Sequence, residues 1–451
     1  MHVTTTISFQ SQLPGDRPEV RFKDHHPSLT EREAVLEARR CLYCFDAPCQ
    51  QACPTSIDIA SFIRKISTGN TLAAARTILS ANINALSCAR VCPTQVLCEG
   101  ACVYNHRDGS QPPIHIGRLQ QFAMEAAYAK NAVASLLGDK RASTGKKIAL
   151  LGAGPASLAC AAELTLRGHQ CVILEQRALP GGLNTNGVAP YKMKADVGLL
   201  EAEMVLGLGV ELRTGVTVGK DVKPEDLLAE YDAVFLGVGL GPDGRLAVPG
   251  EELAGIIGAV ELIDQVKTRG QPLFEGVAHA VVVGGGNTAI DVARELRGLG
   301  VPEVTMVYRR GPEHMSAYAH EQDGARHDGV RFLHWHVPVR FNGEGKVSSL
   351  TLARTRLEDG RLRNVPGSEA DVPCELVAMA VGQGTLKDLC TAFAGVDFRD
   401  GHVVVDPDTG ATGNAKVFAG GDVANGGKEV VNATAEGKRA ALAMDRMLTG
   451  A

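Results

Sequence analysis

Of the 12 cysteines in this chain, eight fall between Cys41 and Cys102. They form two runs: Cys41-x2-Cys44-x4-Cys49-x3-Cys53-Pro54, then Cys88-x3-Cys92-Pro93-x4-Cys98-x3-Cys102. Thiolates are soft ligands, and this density of them points to iron–sulfur clusters or zinc. A structural zinc site closes with four ligands, commonly as two spaced pairs. Two triplet-like runs, each with a Cys-Pro step, fit cubane clusters better. In two-cluster ferredoxins the last cysteine of a run serves the other cluster. On that logic Cys41, Cys44 and Cys49 hold one cluster, closed by Cys102. Cys53, Cys92 and Cys98 hold the second, and Cys88 is left over. Zinc pairs and a disulfide framework are the alternatives. The second is disfavoured because residues 1–28 are polar and lack the apolar core of a secretory signal.

Two further stretches could cradle phosphates. Lys147-Ile-Ala-Leu-Leu-Gly152-Ala153-Gly154-Pro155-Ala156-Ser157 reads as a buried strand, a glycine turn and a helix to about Arg167. Gly152 permits the turn, and Gly154 lets backbone reach a pyrophosphate at the helix start. Ser157 is small enough to replace the third glycine. Val172 to Glu175 is the next strand, and Glu175 stands about 20 residues on, where a carboxylate accepts ribose hydroxyls. The second stretch is His279-Ala-Val-Val-Val-Gly284-Gly285-Gly286-Asn287-Thr288-Ala289. Its following strand, Val304 to Tyr308, ends in Arg309 and Arg310 rather than an acid. Paired arginines suit a 2′-phosphate, though a solvated strand end reads the same way. Gly420-Gly421-Asp422 closes a late strand and would give the first nucleotide a second backbone contact. Ala378 to Gly382 and Gln383 end the second unit.

The redox logic joins these parts. A nicotinamide delivers two electrons as hydride, a cluster accepts one, and a flavin does both. Two nucleotide folds beside clusters therefore call for a flavin in the first and a nicotinamide in the second, with no side-chain acid required.

The elements that must hold these residues are mostly legible. Ser28 and Thr30 start overlapping capping boxes before a helix through Ala34 to Arg40. Ile57–Ile66 and Thr71–Leu79 carry apolar residues at helical spacing, and Gly117 opens a helix to about Leu137. Residues before Ser28 read as a loose arm, and 138–146 as a linker. The fold expected is α/β: two Rossmann-like domains behind a helical iron–sulfur domain. The expected boundaries are 1–140 for the clusters, 141–243 with 386–451 for flavin, and 244–385 for an inserted nicotinamide domain. A net charge of −5 gives no footprint for nucleic acid. No apolar run of about 18 residues exists for a membrane span. Clusters and free thiols favour the cytoplasm.

Residues 41–54, Ile57 to Arg64, Val91-Cys-Pro-Thr94, Ile116-Gly-Arg-Leu-Gln-Gln-Phe122 and the Gly152–Ser157 loop together resemble the N-terminal half of dihydropyrimidine dehydrogenase. In bacteria that half is a separate flavin subunit of the NAD-dependent enzyme, the PreT type. The chain is similar, more loosely, to the glutamate synthase small subunit. The resemblance runs from about Thr30 to the C-terminus. It implies FAD, a nicotinamide nucleotide and two 4Fe-4S clusters, with a glutamine as one ligand of the second. Gln120 holds that motif position, which agrees with Cys88 being spare. For FAD it carries over to Gly152, Ala153, Gly154, Pro155, Ala156, Glu175, Gly182, Leu183, Lys192, Gly421 and Asp422. For the nicotinamide it carries over to Gly285, Gly286, Asn287, Thr288, Arg309, Arg310 and Gly382. Lys192 departs from an arginine of the large enzymes. Ser316 stands where NADP-dependent members have a further arginine, so NAD is expected over NADP. Only 29 residues follow Asp422, too few for the FMN-dependent barrel that reduces a pyrimidine. The expected partner is that catalytic subunit with its own further clusters, in a hetero-oligomer.

Cys160, Cys171, Cys374 and Cys390 read as core thiols. His334 and His336 alternate on an expected strand and read as its surface. A zinc-stapled assembly module with relic nucleotide folds is the non-catalytic alternative.

Overall fold

The computed structural model describes residues 8–106, 111–270 and 274–450. Its N-terminal helices build the cysteine-bearing layer: α1 (Glu31–Ala38), α2 (Ile59–Ser67), α3 (Thr71–Ala81), α4 (Ala85–Val91) and α5 (Ile116–Ala129). The Thr30 capping box forms, with its side chain bonded to Glu33 N and Glu33 Oε2 returning to Thr30 N. Phe62, Ile63, Ile66, Ile78, Leu119 and Met124 are fully buried between these helices. Their core is continuous with that of the first nucleotide unit, so the two layers pack as one body.

That unit begins with β1 (Lys147–Leu151), α6 (Pro155–Leu166) and β2 (Gln170–Glu175), followed by α7 (Ala195–Leu206), β3 (Glu211–Thr214) and β4 (Ala233–Leu236). The second unit contributes β5 (Ile256–Gly258), α8 (Ala259–Thr268), β6 (His279–Val283), α9 (Asn287–Gly298), β7 (Glu303–Tyr308) and β8 (Arg331–His334). It continues through β9 (His336–Glu344), β10 (Lys346–Glu358), β11 (Arg361–Asn364) and β12 (Ala370–Pro373) to β13 (Leu376–Met379). The chain then returns: β14 (Val417–Ala419) pairs with β4, and α10 (Val430–Thr449) packs on α6. The strand orders are β14-β4-β1-β2-β3 and β5-β13-β6-β7-β8, both parallel within the five. Their central strands β1, β4, β6 and β13 are apolar and buried over nearly their whole length, as sheets covered on both faces require. β9–β12 form a separate antiparallel sheet against the second unit.

Three expectations fail locally. The N-terminal arm is packed from residue 8 onward; its first seven residues lie outside the described residues. Arg17 bonds Glu19 and Asp196, and Glu19 accepts Ala195 N, which buries both charges against α7. His334-Trp335-His336 is not one strand. Trp335 has φ +59 and breaks the pleat, so His334 ends β8 and His336 starts β9. The helix from Gly117 also ends early, at Ala129, and a short helix at Val133–Leu136 follows.

Candidate functional site

The first glycine loop turns as its spacing requires. Gly152 has φ +82, and a Cβ there would sit 2.7 Å from Gly237 O. Gly154 precedes α6 with Pro155 at its first turn, so free backbone N–H groups face the space beyond β1. A cavity of about 510 Å³ opens there, within the range of cofactor sites. Gly152, Ala153, Gly154, Pro155, Ala156, Glu175, Gly182, Leu183, Gly421 and Asp422 all line it. The Glu175 carboxylate holds the loop, accepting Ala153 N at 2.7 Å and Arg177 N at 2.8 Å. Burial raises Asp422 above the ordinary carboxyl range, and Lys428 N bonds it. Lys192 lies elsewhere. Its ammonium sits 2.6 Å from Asp291 and 2.7 Å from Glu321. Burial would lower it, and those two carboxylates outweigh burial and hold it above the usual lysine value.

A second cavity, of about 800 Å³, lies at the C-terminal ends of β6, β7 and β13, where open parallel sheets place their ligands. Gly284, Gly285, Gly286, Thr288, Arg309, Ser316 and Gly382 line it. Asn287 and Arg310 do not: the Asn287 amide accepts Tyr318 N, and Arg310 O accepts Trp335 N. Several lining residues escaped sequence reasoning, Asp243, Arg245 and His336 among them. Asp243 and Arg245 come from the crossover before β5, and His336 from the break at Trp335. None carries a local motif; long-range packing brings each there. Leu240, Val260 and Gln383 line both cavities, so the two nucleotides would share a wall.

The cysteines divide in the same spatial order. Cys41, Cys44, Cys49 and Cys102 surround one small cavity walled by Ile59, Ile63 and Ile116. Cys53, Cys92, Cys98 and Gln120 surround another, walled by Ile57, Ile59, Leu97 and Ile116. Cys88 faces this second cavity as well, against Cys92. Gln120 is buried, and its Nε2 donates to Ala85 O at 2.7 Å. Burial raises the Cys49 thiol to about 11 and the Cys98 thiol further. Deprotonating these thiols therefore needs the charge of bound metal. Among the described residues no three His, Cys, Asp or Glu side chains close on a single ion; the thiols ring spaces with apolar walls. That donor set fits a cubane in each.

The spaces form a series. Val430 lines the first nucleotide cavity and Val431 the second thiol cavity. Ile59 and Ile116 separate the two thiol cavities. Cys160, Cys171, Cys374 and Cys390 are buried away from all of them. Nucleotide cavities wall to wall, with thiol-lined cavities next in line, define an NAD(P)H-dependent FAD/iron–sulfur oxidoreductase.

Comparison with known proteins agrees. The chain belongs to the pyridine nucleotide-disulphide oxidoreductase family, matched over residues 146–437. Its residues 18–132 match the family described as dihydropyrimidine dehydrogenase domain II, 4Fe-4S cluster. It is 34% identical to the glutamate synthase (NADPH) small chain of Escherichia coli K12, covering 96% of each protein. It is also 34% identical to the NAD-dependent dihydropyrimidine dehydrogenase subunit PreT of the same strain, covering 94% of this chain and 97% of that one. Among solved structures, FprA from Mycobacterium tuberculosis matches with a TM-score of 0.54 at 24% identity, over 68% of this chain and 85% of that one. This last likeness concerns the fold alone. Among the described residues no helix is long and apolar enough to cross a membrane.

Proposed function

We propose that this chain is the electron-input subunit of a dihydropyrimidine dehydrogenase. It would serve a partner chain that carries an FMN-dependent pyrimidine-reducing site and further clusters. The observation that carries the reading is the serial order of the four cavities. FAD held at the Gly152 loop would supply the link between the two-electron hydride donor, NADH, and the one-electron clusters. The chain's own residues do the rest. The α6 N-terminus would hold the pyrophosphate with Gly421 lining the cavity beside it, and Glu175 holds the loop on the side where the ribose would lie. The shared wall of Leu240, Val260 and Gln383 would exclude water between the two bound nucleotides. Cys41, Cys44, Cys49 and Cys102 hold one cluster; Cys53, Cys92, Cys98 and Gln120 hold the other.

Two finer points follow. Arg309 alone of the two arginines lines the nicotinamide cavity, and Ser316 there cannot pair a phosphate as arginine does, which supports NAD over NADP. The domain limits proposed are 1–140, 141–243 with 386–451, and 244–385; the pairing of β14 with β4 supports the return to the flavin domain. Low-potential clusters suit a reducing cytoplasm. A glutamate synthase small subunit is the second reading, favoured by the near-full-length similarity to that protein. The two separate by reconstitution. Purified chain plus a pyrimidine-reducing subunit should give uracil-dependent NADH oxidation, and plus a glutamate synthase large subunit should not. The reverse pattern would select the second reading.

A further inference from the structure

We infer that Glu201, assisted by Asn84, is the positioning residue that sets the second thiol cavity at its distance from the flavin cavity. The inference rests on the electron-transfer reading above. It starts from a carboxylate with no function in that reading. Glu201 lies on α7, in the first nucleotide unit, and is 1% exposed. It reaches out of its own unit to the start of α4. Its Oε1 accepts Leu86 N at 2.7 Å and Ser87 N at 3.1 Å, and its Oε2 accepts the Ser87 hydroxyl. No basic side chain contributes to its electrostatics. Tyr128 on α5 is the titratable group that faces it.

A second polar contact pins the same end of α4. Asn84 Nδ2 donates to Pro155 O at 3.1 Å and to Thr434 Oγ1 at 2.9 Å. Pro155 belongs to the flavin glycine loop and Thr434 to α10. So α7, the loop and α10 all grip the first turn of α4. The other end of α4 delivers the cluster ligand: Cys92 caps the helix, its N–H bonded to Cys88 O at 3.0 Å. A helix of this length is a stiff rod of about 10 Å. Fixing its start on the flavin unit therefore fixes Cys92 at its tip. A well-packed leucine would hold the domains together at less desolvation cost than a buried unpaired carboxylate. What the carboxylate adds is direction, because three donors accept only one register of the helix.

The test uses the full chain, purified without oxygen. Glu201→Ala should retain FAD, iron and the rate at which NADH bleaches the flavin. Hydrogen exchange at Leu86 and Ser87 should accelerate about tenfold or more, the loss of one or two charge-assisted bonds. Single-turnover reduction of the clusters after flavin should slow by a similar factor. Glu201→Gln, which keeps an acceptor in place, should restore both. Wild-type exchange in Glu201→Ala overturns the inference, as does wild-type cluster reduction despite faster exchange. If Glu201→Ala does not fold, Asn84→Ala faces the same two readouts. A wild-type chain without iron would sink the electron-transfer reading instead, while exchange on α4 would still decide the clamp.

Discussion

At the scale of single residues, the second thiol cavity offers five donors for four places. Cys88 and Gln120 compete for the last one, and the structure puts both at the cavity. Gln120 is the expected ligand, so Gln120→Ala should lower iron per chain and alter the reduced-cluster EPR signal. Cys88→Ala should leave both unchanged. The opposite pattern would give the place to Cys88. Cys41, Cys44 and Cys49 were legible together because their spacing is a local property, and Cys102 joined them only through the crossover pattern of two-cluster ferredoxins. The spacing left Cys88 over; that it faces this cavity depends on how α4 is seated from outside. Glu201 was invisible for the same reason: nothing in its own stretch of sequence marks it. Its titration gives a signed prediction. Burial pushes its carboxyl up to about 7, above the usual unfolded value of about 4.3. The folded state holds that proton longer, so this group's contribution to stability falls as pH rises from about 4.3 to 7 and stays low above. Glu201→Gln should match wild type in denaturant midpoint at about pH 4, below the unfolded value. At pH 8 it should exceed wild type, by up to about 2–4 kcal/mol. A parallel pH course in the two proteins would contradict this.

At the scale of elements, turns and caps were readable and break points were not. The Thr30 capping box and the Gly152 turn are set by neighbouring residues, and both stand as the spacing requires. The Trp335 reversal depends on β9 joining the antiparallel sheet, and no period-2 pattern shows it. The Gly152 turn is testable. Gly152→Ala would combine a disfavoured φ with a contact to Gly237 O, and the purified variant should come out nearly without FAD. Retention of wild-type flavin would show that the loop does not cradle it. A second element-scale device joins the units. Lys267 on α8 is fully buried and donates to Asn184 O, Val188 O and Met193 O. Lys267→Met should leave those three carbonyls unpaired at a cost of about 2–4 kcal/mol, read as a lower unfolding midpoint. A midpoint within error of wild type would mean that water replaces the ammonium.

At the scale of the molecule, the two nucleotide units and the cysteine layer were legible, because each has its own repeating signal: glycine turns after apolar strands, and dense cysteines between helices. Their order in space was not. That Leu240, Val260 and Gln383 are shared, that Val430 and Val431 back onto different cavities, and that Ile59 and Ile116 divide the thiols all follow from packing across long stretches of chain. This serial order is what turns a set of binding sites into a conductor. It is tested most directly by an anaerobic reductive titration of the full chain with NADH, following flavin and cluster absorbance together. The account predicts uptake of about four electrons per chain, two by FAD and one by each of two clusters. A chain that takes up only the flavin pair, with its iron left oxidised, would contradict it.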